Sequence, residues 1–238
     1  MSQRIGVVAQ GLPAAVSDGS QAQQRLGKYN EAHRIDSGTW ERSLCNSGQC
    51  FVAVNSTPGT GITDNPGAFS DTNNLMVLVN QGTKIVIPYY IRLLHTGTAL
   101  SGTHSGRFTF VTDIINRYSS GGSILSVSNR ASSQFQSSLS FIRFGTVVAT
   151  APTSQKRIVS QVEFSKGANV ITPGDQFFVS FYNVNSNFGT LQVTTPKQCG
   201  LTCNPVMLAP NHSLLLNKST EGATSAGVWE VEFVWFEV

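Results

Sequence analysis

Apolar and polar positions alternate along most of this chain. The alternation is clearest over residues 228–238, where Trp229, Val231, Phe233 and Trp235 share one face and Glu230 and Glu232 fall on the other. A period of two is that of a β-strand with one buried face. The pattern recurs from Trp40 onward with no convincing helical period between. It predicts strands over roughly 40–45, 50–55, 75–79, 84–95, 107–113, 123–128, 138–150, 157–164, 176–184, 190–194, 213–217 and 227–238. Turn-forming clusters separate them, such as Thr57-Pro58-Gly59-Thr60-Gly61, Asp64-Asn65-Pro66-Gly67, Ser119-Ser120-Gly121-Gly122 and Thr172-Pro173-Gly174-Asp175. Many short strands at fairly even spacing predict an all-β, antiparallel β-sandwich, a single jelly roll of roughly eight to ten main strands.

Three segments add detail. Pro88 sits inside the long run 84–95. Proline cannot donate to a ladder, so a bulge, an edge position or a switch between sheets is expected there. Tyr89 and Tyr90, adjacent on one strand, are expected to point to opposite sides. In 176–184, Phe177, Val179 and Phe181 share one face, and Phe178, Ser180 and Tyr182 form a second, partly apolar one, which suits a strand covered on both faces. Residues 1–39 carry few large apolar groups and read as an extended N-terminal arm or irregular segment, leaving 40–238 as the sandwich domain.

Composition narrows the surface. Charged residues make up 12% of the chain, about half the usual share, so the exterior must be built from Ser, Thr, Asn, Gln and Gly. Interface cores are depleted of charge, so such a surface is easily buried against other subunits. A bland, hydroxyl-rich extracellular β protein fits the same composition. The net charge of +3 is spread without any Lys/Arg run, so strong nucleic-acid binding is not expected. No apolar stretch approaches the ~20 residues of a membrane span, and residues near Met1 lack the apolar core of a signal peptide.

The candidate chemistry is thin. Cys45 and Cys50 flank the turn-like Asn46-Ser47-Gly48-Gln49, and Cys199 and Cys203 bracket Gly200-Leu201-Thr202. Each pair suits a local disulfide, ahead of free buried thiols; zinc ranks last because neither pair has two-residue spacing. Of His33, His95, His104 and His212, the pair His95 and His104 flanks the loop 96–103. Neither has a nucleophile or carboxylate partner in sequence, so satisfied loop histidines are expected. Asp64, Asp71, Asn73 and Asn74 share one loop but match no calcium-loop spacing, and read as turn formers. Glu230 and Glu232 lie on one strand face, not opposed across a sugar. Trp40, Trp229, Trp235, Tyr89 and Tyr90 could stack on sugars, with core packing the default for Trp229 and Trp235. The sequons at Asn55, Asn211 and Asn217 are what chance gives in a chain this rich in Asn, Ser and Thr. No catalytic, cofactor-binding or metal-binding residue is assigned, no cofactor is implied, and the chain is not expected to be an enzyme.

The arm-like residues 1–39, the β-only body ending in an aromatic strand, and Pro/Gly turns such as Ile171-Thr172-Pro173-Gly174-Asp175 before Gln176-Phe177-Phe178-Val179-Ser180-Phe181 resemble viral and phage jelly-roll capsid or virion-surface proteins. The likeness covers most of the chain without a diagnostic motif. Many such shell proteins carry a strongly basic arm that contacts the genome, and this chain does not. The resemblance implies a structural subunit of a non-enveloped virus or phage particle, as capsid shell, cement or spike protein, located in the virion. Its partners would be copies of itself and other virion proteins, and a host-surface glycan is possible. The rival reading is a secreted, lectin-like carbohydrate-binding sandwich.

Overall fold

The computed structural model describes residues 44–65, 67–100, 105–131, 137–165, 171–181, 206–221 and 226–238. The arm 1–39, the expected strand 190–194, Cys199 and Cys203, His33, His104, Trp40 and Tyr182 lie outside them. The described chain is all-β, with strands joined by turns and irregular segments and almost no helix. The strands are β1 (Cys50–Asn55), β2 (Ile62–Thr63), β3 (Asn73–Asn80), β4 (Val86–His95), β5 (Ser105–Asp113), β6 (Tyr118–Asn129), β7 (Ser140–Ala149), β8 (Arg157–Ser165), β9 (Gln176–Ser180), β10 (Ser213–Glu221) and β11 (Val228–Glu237).

Ten of them form one curled antiparallel sheet in the order β8-β5-β10-β3-β7-β6-β1-β11-β4-β9, and β2 pairs with β11. The pairing is nested. β1 pairs with β11, β3 with β10, β4 with β9 and β5 with β8. The hairpin β6–β7 lies between the two halves of this path. The first part of β6, Tyr118 to Ile124, pairs with β7, and Leu125 to Asn129 pairs with β1. One strand thus belongs to both halves and carries the bend.

That bend corrects an expectation. Ser119-Ser120-Gly121-Gly122 is not a turn between strands; it lies inside β6. Gly121 and Gly122 take φ of 74° and 70°, and the β6–β7 register shifts twice beside them. Turn-prone residues here irregularise a strand instead of ending it. A second correction falls on 40–45: the described residues Leu44 to Asn46 form a helical turn that leads into β1, closed by Gly48 N–H to the Cys45 carbonyl (3.0 Å).

The bulge expected at Pro88 is present. Tyr90 faces Val234 and Pro88 faces Trp235, so Tyr89 is the extra residue. A bulge breaks the alternation of faces, and the rings of Tyr89 and Tyr90 accordingly stand 5.8 Å apart instead of on opposite sides.

The curl brings aromatic residues of distant strands together. Phe108 of β5 meets Phe177 of β9 at 5.4 Å and Trp229 of β11 at 6.0 Å, and Phe110 meets Phe181 at 4.9 Å. The inward face of β11 is the one its alternation specified: Trp229, Val231, Phe233 and Trp235 are all buried. Each fully buried side chain of this class contributes roughly 1.5–3 kcal/mol. On the reverse face of β3, β5, β7 and β10, Val77, Val79, Val111, Val147, Ala149 and Leu215 make a second cluster. This explains the unbroken apolar run Leu75-Met76-Val77-Leu78-Val79, a strand covered on both faces.

Candidate functional site

The inward faces of four segments converge at one end of the core. On β4, Ile91 and Leu93 point inward, and His95 follows two residues later, fully buried. On β10, Leu214 and Leu216 point inward, and the same spacing carries Lys218 into the core. β11 contributes Trp229, and the residue after β2 contributes Asp64.

Asp64 is the hub. Lys218 Nζ forms an ion pair with its Oδ2, Trp229 Nε1 donates to the same oxygen at 2.6 Å, and the Gly227 N–H donates to Oδ1 at 2.8 Å. The side chains of Lys218 and Asp64 are only 2% and 0% exposed. Burying two charges is costly, and the arrangement holds because one carboxylate collects three donors, one of them cationic. Lys218 Nζ also lies 5.5 Å from the Trp229 ring centroid, within cation–π range. So sealed, the pair acts as an internal tie between β10, β11 and the segment after β2.

His95 stands beside this tie. It is the register partner of Trp229, and the two rings meet edge to face at 4.9 Å. Neither ring nitrogen has a hydrogen-bond partner among the described residues. Burial pushes its pKa below 6.5, and Lys218 acts the same way; the Thr172 backbone, Asp175 and Asp64 oppose them without prevailing. The expected satisfied loop histidine is therefore corrected: His95 ends a strand inside the core, and its ring is unsatisfied.

The loop carboxylates do not act together. Asp71 pairs with Lys156 at 3.0 Å, away from the Asp64–Lys218 pair. Asp64 is not a turn former at all. A further tie holds the segment after β5: buried Arg117 donates to the carbonyls of Thr150 (3.0 Å) and Asp71 (2.7 Å), with Asp113 at 3.6 Å. Asp113 also accepts from Thr153 and the Ile114 N–H. Burial alone would raise the Asp113 pKa, but the Thr153, Ile114 and Arg117 interactions bring it below 3.8.

Glu230 and Glu232 lie on the outward face of β11. Glu232 accepts from Tyr90 Oη and from Arg92 (2.8 Å), and Tyr90 stacks near Phe178 at 5.1 Å. Burial and the adjacent Glu232 push the Tyr90 phenol up to about 12. Cys45 and Cys50 are both thiols, with the Cys50 pKa raised to about 12 by burial and by the hydrogen bond and charge of the neighbouring Cys45. Of the sequons, Asn55 and Asn217 are buried, and their amides hold backbone carbonyls of Thr60, Ser70 and Asn73.

A cleft of about 410 Å³ opens beside β1, β2, β6 and β7, lined by Asn55, Ser56, Thr57, Thr60, Ser123 and Thr146 among others. Its lining offers hydroxyl and amide groups and no ionisable side chain. Among the described residues, no cluster of His, Cys, Asp and Glu could hold a metal ion. No helix among them is long and apolar enough to cross a membrane.

The sequence pattern alone did not single out Lys218 or Arg117, and it read Asp64 as a turn former. Lys218 had a signal: it continues the i, i+2 row of Leu214 and Leu216. Asp64 and Arg117 sit in irregular segments where no period says which way a side chain points. No protein-family model matches the chain, and no curated protein matches it.

Proposed function

We propose that this chain is a structural subunit of a virus or phage particle, built as a jelly-roll sandwich and assembled through uncharged sheet surfaces. Nested pairing of first with last strands, β1:β11, β3:β10, β4:β9 and β5:β8, supports the jelly-roll reading. It is the pattern of one antiparallel ribbon rolled on itself, with β6–β7 as an inserted hairpin. Architecture alone does not assign a function.

One observation carries the assembly reading. β6 has no charged residue, and nearly its whole length is solvent-facing. Ile124 is 63% exposed, and Val127 and, on β7, Val148 are 38% and 39% exposed. Apolar side chains set among the serines of a strand that itself carries no charge are what a subunit contact requires. The contact would bury more than about 1,000 Å² in total. Electron microscopy of the purified full chain at high concentration tests this. Closed shells, rings or regular oligomers are expected; isolated particles of monomer size at every concentration would overturn it.

The hydroxyl- and amide-lined cleft favours a second reading, a lectin-like module that takes a neutral saccharide. A discrete small species that binds a glycan array, with binding lost on Thr146→Val and Ser123→Val, would favour it over assembly.

A further inference from the structure

Strand β9 ends the sheet path and is held by β4 alone among the described residues. The turn 171–175 that leads into it is pinned by the main chain of His95, whose N–H donates to the Asp175 carbonyl (2.9 Å) and whose carbonyl accepts from the Gly174 N–H (2.8 Å). A third bond, Leu100 N–H to the Ile171 carbonyl (2.9 Å), holds the far end of the turn. The residue that fastens this edge strand is also the one whose ring is fully buried, packed on the edge of Trp229 and without a partner at either nitrogen.

We propose that His95 is an acid-sensitive latch: taking up a proton, it releases the 171–175 turn and strand β9 from the end of β4. The groups around it leave a charged imidazole no free carboxylate, and the one acceptor it meets, the Thr172 backbone, does not offset burial. From β10 comes Lys218, a second cation. From the segment after β2 comes Asp64, whose carboxylate is engaged by Lys218, Trp229 and Gly227. From the turn comes Asp175, whose Oδ2 accepts from the N–H and hydroxyl of Thr172 (2.8 and 3.3 Å). β11 presents the Trp229 indole, whose N–H is spent on Asp64. On β4 itself, Arg92 is exposed on the outward face. An imidazolium in this place is desolvated and has no free counter-ion, and opening the turn is the nearest route to water.

The sign follows from burial. The folded pKa lies below 6.5, so the open state binds the proton better. The latch is fully closed above about pH 6.5 and weakens as pH falls through the window below that value. The weakening amounts to about tenfold in the opening equilibrium for each unit by which the folded pKa is depressed.

Hydrogen exchange of the full chain at about pH 7.5 and about pH 5, corrected for intrinsic exchange chemistry, tests the latch. Amides of 171–180 should open more at the lower pH, by up to about thirtyfold, while those of β3 and β10 stay protected. His95→Phe, which keeps an aromatic ring against Trp229 without a proton site, should abolish the difference. Equal protection of 171–180 at both pH values, or the same acid response in His95→Phe, would overturn the proposal. Should His95→Phe not fold, the imidazole C–H resonance of His95 in the wild-type chain decides. One shared midpoint for its titration and for the opening supports the latch, and titration without opening rejects it.

Discussion

Asp64 and Lys218, 154 positions apart in the sequence, form a sealed ion pair whose carboxylate is shared with the Trp229 indole. It ties the segment after β2 to β10 and β11, which pair with different neighbours in the sheet. Removing one partner leaves a buried charge uncompensated. Lys218→Met is therefore expected to destabilise the fold by roughly 3–5 kcal/mol in urea denaturation. Asp64→Asn combined with Lys218→Met should recover part of that loss, because no charge is left buried while the single amide oxygen accepts from only one of Trp229 and Gly227. A double variant as unstable as the single one would show that the tie is not electrostatic.

Acid should act on the fold a second time, below the range of His95. Burial by itself raises the pKa of Glu237, but donors from Ser138, Trp235, Ser140 and the Leu139 N–H bring it below 4.5; Asp113 lies below 3.8 for the same kind of reason. Carboxylates with depressed folded pKa values stabilise above their unfolded values and lose that contribution as pH falls through the folded ones. Denaturation midpoints should drop again below about pH 4.5, and Glu237→Gln should flatten part of that drop. An unchanged slope in Glu237→Gln would remove Glu237 from the account.

The bend in β6 depends on glycine. Gly121 has φ of 74°, and a Cβ there would stand 2.3 Å from the Thr146 carbonyl oxygen, a backbone atom that cannot step aside. Gly174 has φ of 94° but nothing within 4 Å of the added carbon. Both alanine variants bear a backbone cost of about 1–2 kcal/mol. Gly121→Ala should be the worse by a further 1–3 kcal/mol or so in thermal or urea unfolding. Equal losses would mean that β7 yields at Thr146.

Cys45 and Cys50 stand ready for the local disulfide their spacing suggests. Burial and the neighbouring thiol raise the Cys50 pKa to about 12, so its thiolate is scarce near neutral pH. In the reduced native chain, iodoacetamide should modify Cys45 much faster than Cys50, and denaturant should erase the difference. After air oxidation, peptide mapping should find Cys45 linked to Cys50. Oxidised protein with both thiols still titratable would exclude that bond.

Much of the fold was legible because strand periodicity is a local signal. The row Trp229, Val231, Phe233, Trp235 named its own buried face, and Pro88 marked its own bulge. The errors share one physical origin: a local preference overridden by tertiary pairing. Ser119 to Gly122 carry turn chemistry, yet β7 recruits them into a bent strand. Tyr89 and Tyr90 alternate by rule, yet the bulge turns them to neighbouring positions. The polar ties were least legible. Asp64 meets Lys218 only after the sheet has curled, and no spacing within either segment announces it. His95 continues the inward row of Ile91 and Leu93, a signal as plain as that of Lys218.

Sedimentation velocity of the full chain over a range of concentrations tests the assembly account most directly. It should show large, defined species that grow with concentration, and a shift to monomer when Ile124→Asp and Val127→Asp place charge on β6. A single monomeric boundary at every concentration, identical in wild type and variant, would contradict it.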